Sequence, residues 1–452
     1  MSMETYQTLR DSRHGPLLPY LQGIEWRPPS AEDQSAALLL LHMFLGPALR
    51  RVNFVLDEEV PMLALETIFD GLRTKCSLLE TIKLEVANNT SPSDFSASLC
   101  SRFGSYHALR SIHCPSNPLQ LKDVAKLSSL PSLTTLDIVV SRDSGIGPDK
   151  LASLQGQPIR SESRTQWTFA ALQTLKTSGM SMQCMDQLTF FKFPMLQCLA
   201  MTCNTSTVSQ LSDPLYAIIA SQCNHKTLHQ ITIHDKRTSG DLVIHPSLAI
   251  TPTHLRYLLA FRRLRYLSIT AGPWETEYDD GIVMEMASAW PEIRMLNLTT
   301  DVKQMGWKTS SMCATTLSIY VLTQACPLWS LGILVDARGA MQFDDIALRI
   351  EQAPRSLPQQ SMMFMLFLGY SPIDDPDRAA RMLSWVLSKD LFIFQGGHRV
   401  PHTRAEPDEV QDSEDGLEDS HARWVRFSKL LYRYGSMREE ERMRASGAEE
   451  GQ

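Results

Sequence analysis

With 452 residues, 43% of them hydrophobic, and a formal charge of −7, the chain can bury a substantial core and by length alone would fill about three ordinary domains. The charge has a local source: residues 405–420 hold eight acidic and no basic side chains, so the remainder sums to +1, and a body this near neutrality disfavours nucleic acid as a partner. The longest apolar run, Ala36 to Leu49, is interrupted by His42 and falls short of the ~20 residues that a membrane-spanning helix needs, so no membrane partner is expected.

Taken in chain order, the first element is LQGIEW from Leu21, an apolar-x-x-apolar-x-apolar run. The same run returns as LRRVNF at Leu49, LETIKL at Leu79, LRSIHC at Leu109, LTTLDI at Leu133, LQTLKT at Leu172 and LQCLAM at Leu196. It continues as LHQITI at Leu228, LRYLSI at Leu264, IRMLNL at Ile293, LWSLGI at Leu328 and, weakly, MFMLFL at Met363, with successive starts 24 to 39 residues apart. The fourth and sixth residues of each run share one side of a strand, and the first turns in from the preceding loop. One such strand cannot bury its apolar side alone. Stacked side by side, the units pair into a parallel sheet with a common core, as in a leucine-rich repeat.

Between the strands, Leu65, Phe69, Leu72 and Leu79 fall at helical spacing, as do Ile282, Met286 and Trp290 behind the acidic start at Asp279 and Asp280. Pro19, Pro47, Pro131, Pro194, Pro291 and Pro327 precede strands, where proline ends a helix and favours extended backbone before it. The expected fold class is therefore α/β: a leucine-rich-repeat solenoid, or horseshoe, with a parallel sheet on the concave side and helices on the convex side. Asn204, and with it Asn117, Asp57 and Asp301, stands at the ninth place of its unit, where such folds hydrogen-bond neighbouring turns.

The domain scheme is an N-terminal extension over 1–15 and an irregular repeat array over 16–395. An acidic, disordered insertion over 396–422 follows. A helix over 423–442 places Trp424, Phe427, Leu431 and Tyr434 on one face, amid Arg423, Arg426, Lys429 and Arg433. Such a basic amphipathic helix can bind a membrane surface or calmodulin, but a solenoid also needs a terminal helix over its open core end, and capping is the expected role. Residues 443–452 form a disordered tail. The opening MSMETYQTLRDSRHG lacks a signal-peptide apolar stretch, and nine cysteines without a CxxC pair fit reduced, buried thiols. Both point to the cytoplasm or nucleus.

Several segments together resemble a known family: LLPYLQGIEW near the start, LSSLPSLTTLDIVV at 127–140, FPMLQCLAM at 193, DDGIVMEMASAWPEIRMLNL at 279, TTLSIYVLTQACPLWSLGILVDAR at 315, GYSPIDDPDRAARMLSWVLS at 369 and the final WVRFSKLL. In order and spacing they are similar to the basidiomycete fungal F-box-like leucine-rich-repeat proteins. That resemblance implies the substrate-recognition part of a cullin ubiquitin ligase. Family members usually begin with an F-box module of the type LPxEILxxIF, which docks the ligase adaptor. That module is not recognisable in this chain, so an adaptor partner follows only if an upstream F-box exists. The alternative is a stand-alone repeat protein without a ubiquitin role.

Catalytic signatures are absent from the sequence: there is no P-loop, GxSxG, HExxH or GxGxxG turn. Cys223, His225, His229 and His234 cluster in sequence, but across a loop and strand rather than a helix face, which removes the meaning of their spacing as metal ligands. Asp279 with Asp280 and Asp374 with Asp375 read as helix caps. The expectation is no enzyme and no cofactor. Recognition then falls to the second, third and fifth residues of each run, which face away from the core. A protein partner or degradation target is expected on this concave face, at Arg50, Arg51, Lys83, Arg110, His113, Tyr266, Arg294, Met295 and Trp329, types that include those enriched at hot spots.

Overall fold

The structure, a computed structural model, describes residues 16–27, 41–56, 62–86, 99–140, 166–180, 188–203, 215–235, 250–270, 278–299, 314–339, 362–369, 371–395, 398–399 and 416–449. The array expected over 16–395 falls into two compact units, Met1–Thr227 and Leu228–Gln452. Each is an α/β repeat solenoid.

In the first unit β1 (Gly23–Trp26), β2 (Arg51–Leu56), β3 (Thr81–Val86), β4 (Ser111–Leu119), β5 (Thr135–Val140), β7 (Thr174–Met180) and β9 (Cys198–Cys203) pair in that order, every pair parallel. Their register aligns Ile24, Val52, Ile82, Ile112, Leu136, Leu175 and Leu199, the fourth residue of each run. All but the edge residue Ile24 are buried, as are the first residues Leu49, Leu79, Leu109, Leu133, Leu172 and Leu196. Burying a Val, Leu or Ile side chain contributes about 1.5–3 kcal/mol, so each misregistered strand would forfeit several such terms at once.

A second device fixes the register through the backbone. The N–H groups of the second and third residues of each run both donate to the carbonyl of the second residue in the run before. Arg50 and Arg51 donate to Gln22, Glu80 and Thr81 to Arg50, Arg110 and Ser111 to Glu80, Thr134 and Thr135 to Arg110, Gln173 and Thr174 to Thr134, and Gln197 and Cys198 to Gln173. A carbonyl has two lone pairs, and here each interior one uses both.

Helices cover one face of this sheet. Helix α1 (Met62–Lys75) sends Leu65, Phe69 and Leu72 into the core; Phe69 meets Phe54 of β2 edge-on at 6.4 Å and Phe103 at 5.7 Å. Helix α2 (Leu121–Leu127) and helix α3 (Leu215–Gln222) repeat the arrangement. The helix–proline–strand unit is not followed throughout. Between β5 and β9 the described covering layer includes a parallel pair, β6 (Trp167–Thr168) with β8 (Phe191–Lys192), and a stack in which Phe169 and Phe193 lie 5.7 Å apart and Phe191 and Phe193 6.2 Å. The alternating FFKFP places aromatic rings at period two, which suits a strand rather than a helix.

In the second unit β10 (Gln230–Asp235), β11 (Tyr266–Thr270), β12 (Met295–Asn297), β13 (Ser330–Gly332), β14 (Met365–Phe367) and β15 (Phe392–Gln395) are parallel, and β16 (His398–Arg399) closes the order antiparallel. Their register aligns Ile231, Leu267, Leu296, Leu331, Leu366 and Ile393, all buried. The double-donor grip recurs: Arg265 and Tyr266 on His229, Arg294 and Met295 on Arg265, Trp329 and Ser330 on Arg294, Phe364 and Met365 on Trp329.

Thr251, Asp279, Thr315 and Asp375 cap helices α4 (Pro252–Leu258), α5 (Asp280–Ala289), α6 (Thr316–Ala325) and α7 (Pro376–Leu383) by accepting a backbone N–H of the first turn. The other aspartate of each expected capping pair does different work. Asp280 accepts from the Thr315 N–H at 2.8 Å and its hydroxyl at 2.7 Å, and from the Ser318 hydroxyl, joining α5 to α6; Asp374 pairs with Arg423 at 3.3 Å.

The end of the second unit is covered by α8 (Gly416–Glu449), a longer helix than the expected 423–442. Trp424, Phe427 and Leu431 are buried on the expected face, the Trp424 indole donates to the Ser371 carbonyl at 2.6 Å, and the Tyr434 hydroxyl donates to Asp377 at 2.9 Å. The helix thus takes in 416–422 of the expected insertion and 443–449 of the expected tail, while 398–399 are strand. Residues 1–15, 400–415 and 450–452 lie outside the described residues, as do Asn204, Asp57, Asp301 and the side chain of Asn117.

Candidate functional site

Each sheet presents its second, third and fifth residues on the face away from the helices. The nine residues singled out in the sequence divide between the units: Arg50, Arg51, Lys83, Arg110 and His113 belong to the first, and Tyr266, Arg294, Met295 and Trp329 to the second.

On the first unit this face is largely self-neutralised. Arg50 bonds Glu80 across β2 and β3 at 2.5 Å, Lys83 bonds Glu85 at 2.6 Å, and the His113 ring lies 3.5 Å from the Asp137 carboxylate and 3.1 Å from the Ser111 hydroxyl. Arg51, Arg110 and Lys176 are exposed and form no ion pair among the described residues. Arg50 with Glu80 and His113 with Asp137 are placed on neighbouring strands, where opposite charges stabilise a cross-strand pair.

The second unit is different. Tyr266 and Trp329 have ring centroids 6.1 Å apart, Trp329 and Phe364 6.4 Å apart in edge-to-face contact, and Phe367 stacks on Phe394 at 4.6 Å. These rings project from β11 and from the strands and strand entries of β13, β14 and β15. Trp329, Phe364 and Phe392 keep 38%, 42% and 37% of their surface exposed. At the β11–β12 end stand Arg294, exposed, and Arg265, whose guanidinium holds Glu292 through contacts at 2.8 and 3.0 Å. Arg265, with smaller contributions from Arg263 and Arg294, keeps the Glu292 carboxyl below its usual range. Arg263 and Arg294, both exposed, form no ion pair among the described residues.

Two outward positions are covered by their neighbours rather than open to solvent. Ser330 is buried, and so is Gly332. The Asn297 side chain lies over Gly332 so closely that a Cβ there would sit 2.2 Å from Asn297 Oδ1. Asn297 is held in place because its Oδ1 accepts from the Thr299 N–H at 3.1 Å and its hydroxyl at 2.7 Å. The structure also adds residues absent from the sequence-derived site: Phe364, Met365, Phe367, Phe392 and Phe394. The alternating Phe392, Ile393, Phe394 was the available signal, but without a leading leucine at repeat spacing it did not read as a further unit.

Elsewhere the chemistry is quiet. Cys76, Cys100, Cys114, Cys203, Cys223 and Cys326 are buried free thiols and Cys198 is half-buried. Burial pushes Cys76 and Cys326 up to about 11 and Cys114 and Cys223 to about 12, which keeps them protonated and poorly nucleophilic at neutral pH. His225 donates to the Ala220 carbonyl at 2.8 Å, and His234 shares a hydrogen bond with the Thr270 hydroxyl. No group of three potential metal ligands occurs among the described residues, and no described helix is long and apolar enough to cross a membrane. Compared with known proteins, the sequence matches no family model and no curated protein.

Proposed function

We propose that the protein is a non-enzymatic protein–protein interaction scaffold that binds a partner on the outward face of its sheet strands. The observation that carries the proposal is the group of exposed rings on neighbouring strand entries in the second unit: Trp329 in edge-to-face contact with Phe364, and Phe392, whose N–H donates to the Phe364 carbonyl. Single exposed apolar residues are ordinary, whereas a contiguous rigid patch marks an interaction site, and Trp, Tyr and Arg are the types that dominate binding energy. The finer proposal is that the partner is a degradation target, with the chain as the recognition part of an F-box-like ubiquitin ligase. The family resemblance of the ordered repeat segments supports it.

The test is site-specific photocrosslinking in cells, with a photoreactive residue at Trp329 or, as control, at Met284, which is 39% exposed on α5. The expected result is a discrete crosslinked protein from position 329 alone, accumulating when the proteasome is inhibited and accompanied by a ligase adaptor. Equal labelling from both positions would overturn the scaffold reading. A partner from 329 that neither accumulates nor brings an adaptor would overturn only the ligase role.

A further inference from the structure

We infer that the occupant of the second unit's aromatic face is an amphipathic α-helix of the partner, lying across the strands, with its apolar stripe over β13 to β15 and carboxylates over β11 and β12. The inference rests on the interaction reading above and specifies what the face selects.

Spacing argues for a helix. Strands in a sheet repeat every ~4.8 Å and a helix turns every ~5.4 Å, so a helix laid across the strands offers about one side chain per strand. It drifts only ~0.6 Å at each step. An extended segment presents same-side residues every ~6.7 Å and slips by ~2 Å per strand, out of step after two. Nor can an extended segment gain backbone bonds on this face, because β11 to β14 are each paired on both sides and strand addition needs a free edge.

Charge sets the orientation. At the β11–β12 end Arg265 holds the Glu292 carboxylate at 2.8 Å, while Arg263 and Arg294 are exposed and form no ion pair among the described residues, an excess of positive charge that acidic side chains would complement. At the other end Phe364, Met365, Phe367, Phe392 and Phe394 supply apolar contact. The five strands β11 to β15 span roughly 19 Å, about thirteen residues of helix at 1.5 Å per residue, a small footprint that fits a transient complex.

A library of unbiased 16-residue peptides displayed on phage and selected against the full chain tests this. The expected consensus has apolar residues at i, i+3 or i+4 and i+7 with acidic residues beyond one end. Its synthetic peptide should gain helical circular dichroism on binding and lose roughly tenfold or more in affinity for Trp329→Ala, the scale of a hot-spot truncation. Arg294→Glu, at an exposed position, should also weaken binding, and exchanging the peptide's acidic residues for lysine should restore it. Binders that need Trp329 but alternate at i and i+2, or that ignore Arg294→Glu, would overturn the helix while leaving the interaction face intact. Failure to select any binder, or binders indifferent to Trp329→Ala, would overturn both.

Discussion

The outward faces of the two units are built on the same scaffold and carry opposite chemistry. In both, the fourth residue of each run is registered against its neighbours and the double-donor grip repeats. Yet Arg50, Glu80, Lys83, His113 and Asp137 form charged contacts across the first face, while Tyr266, Trp329 and Phe364 leave a row of rings facing water on the second. Exposed ion pairs contribute ~0–1 kcal/mol, and covering apolar surface is worth about 25 cal/mol per Å². The first face is at peace with solvent; the second gains by being covered. Inward positions are constrained by the shared core, so it is the outward ones that differ in chemistry between the units.

The largest expected effect tests what the two units share. Leu199→Ala in the first and Leu296→Ala in the second should each cost about 2–5 kcal/mol. Leu199 already lines a small apolar cavity with Leu175, Leu188 and Ile218, so little is available to collapse into the space. Chemical denaturation should show both losses, and hydrogen exchange should rise first in the strands flanking each site. Gln197→Ala on the outward side of the same segment should stay within about 0.5 kcal/mol; an equal cost at Gln197 would remove the distinction between the faces.

Next comes the contrast itself. Trp329→Ala should weaken partner binding by about 2 kcal/mol or more, whereas Arg50→Ala should leave the same isotherm unchanged. If calorimetry gave equal losses, the second face would not be the special one.

Gly332→Ala should cost about 1–3 kcal/mol by forcing Asn297 aside, and Gly332→Ala with Asn297→Ala should recover much of it in thermal unfolding. The smallest effect belongs to the first face: a double-mutant cycle on Arg50 and Glu80 should return a coupling of about 0–1 kcal/mol that shrinks with added salt.

Positions with a local cause were legible in sequence. Leu196, Leu199 and Met201 are buried as their spacing required, since strand periodicity and a shared apolar side leave no alternative register. Outward positions depend on neighbours far along the chain and could not be read in the same way. Ser330 and Gly332 are buried on the outward side, Gly332 beneath Asn297 of the adjoining strand, and Asp280 joins a helix 35 residues on rather than capping its own. Phe392 and Phe394 carry no repeat signature because their strand lacks the leading leucine, although the sheet continues through them. The functional face was therefore only partly visible: Tyr266, Arg294, Met295 and Trp329 were found, and the phenylalanines that enlarge the patch were not.

The paired N–H groups that grip one carbonyl in each preceding run have a consequence for how such a chain can change. Register is reset at each gripped strand entry, whatever length of chain lies between entries, and the spacing of the runs already varies from 24 to 39 residues. An insertion in a connecting segment need not propagate a frame error into the next strand. A whole repeat can be duplicated or removed between two grips and leave matching ends to rejoin, so lineages can lengthen, shorten or shuffle the array while the surface chemistry of each remaining strand travels with it intact.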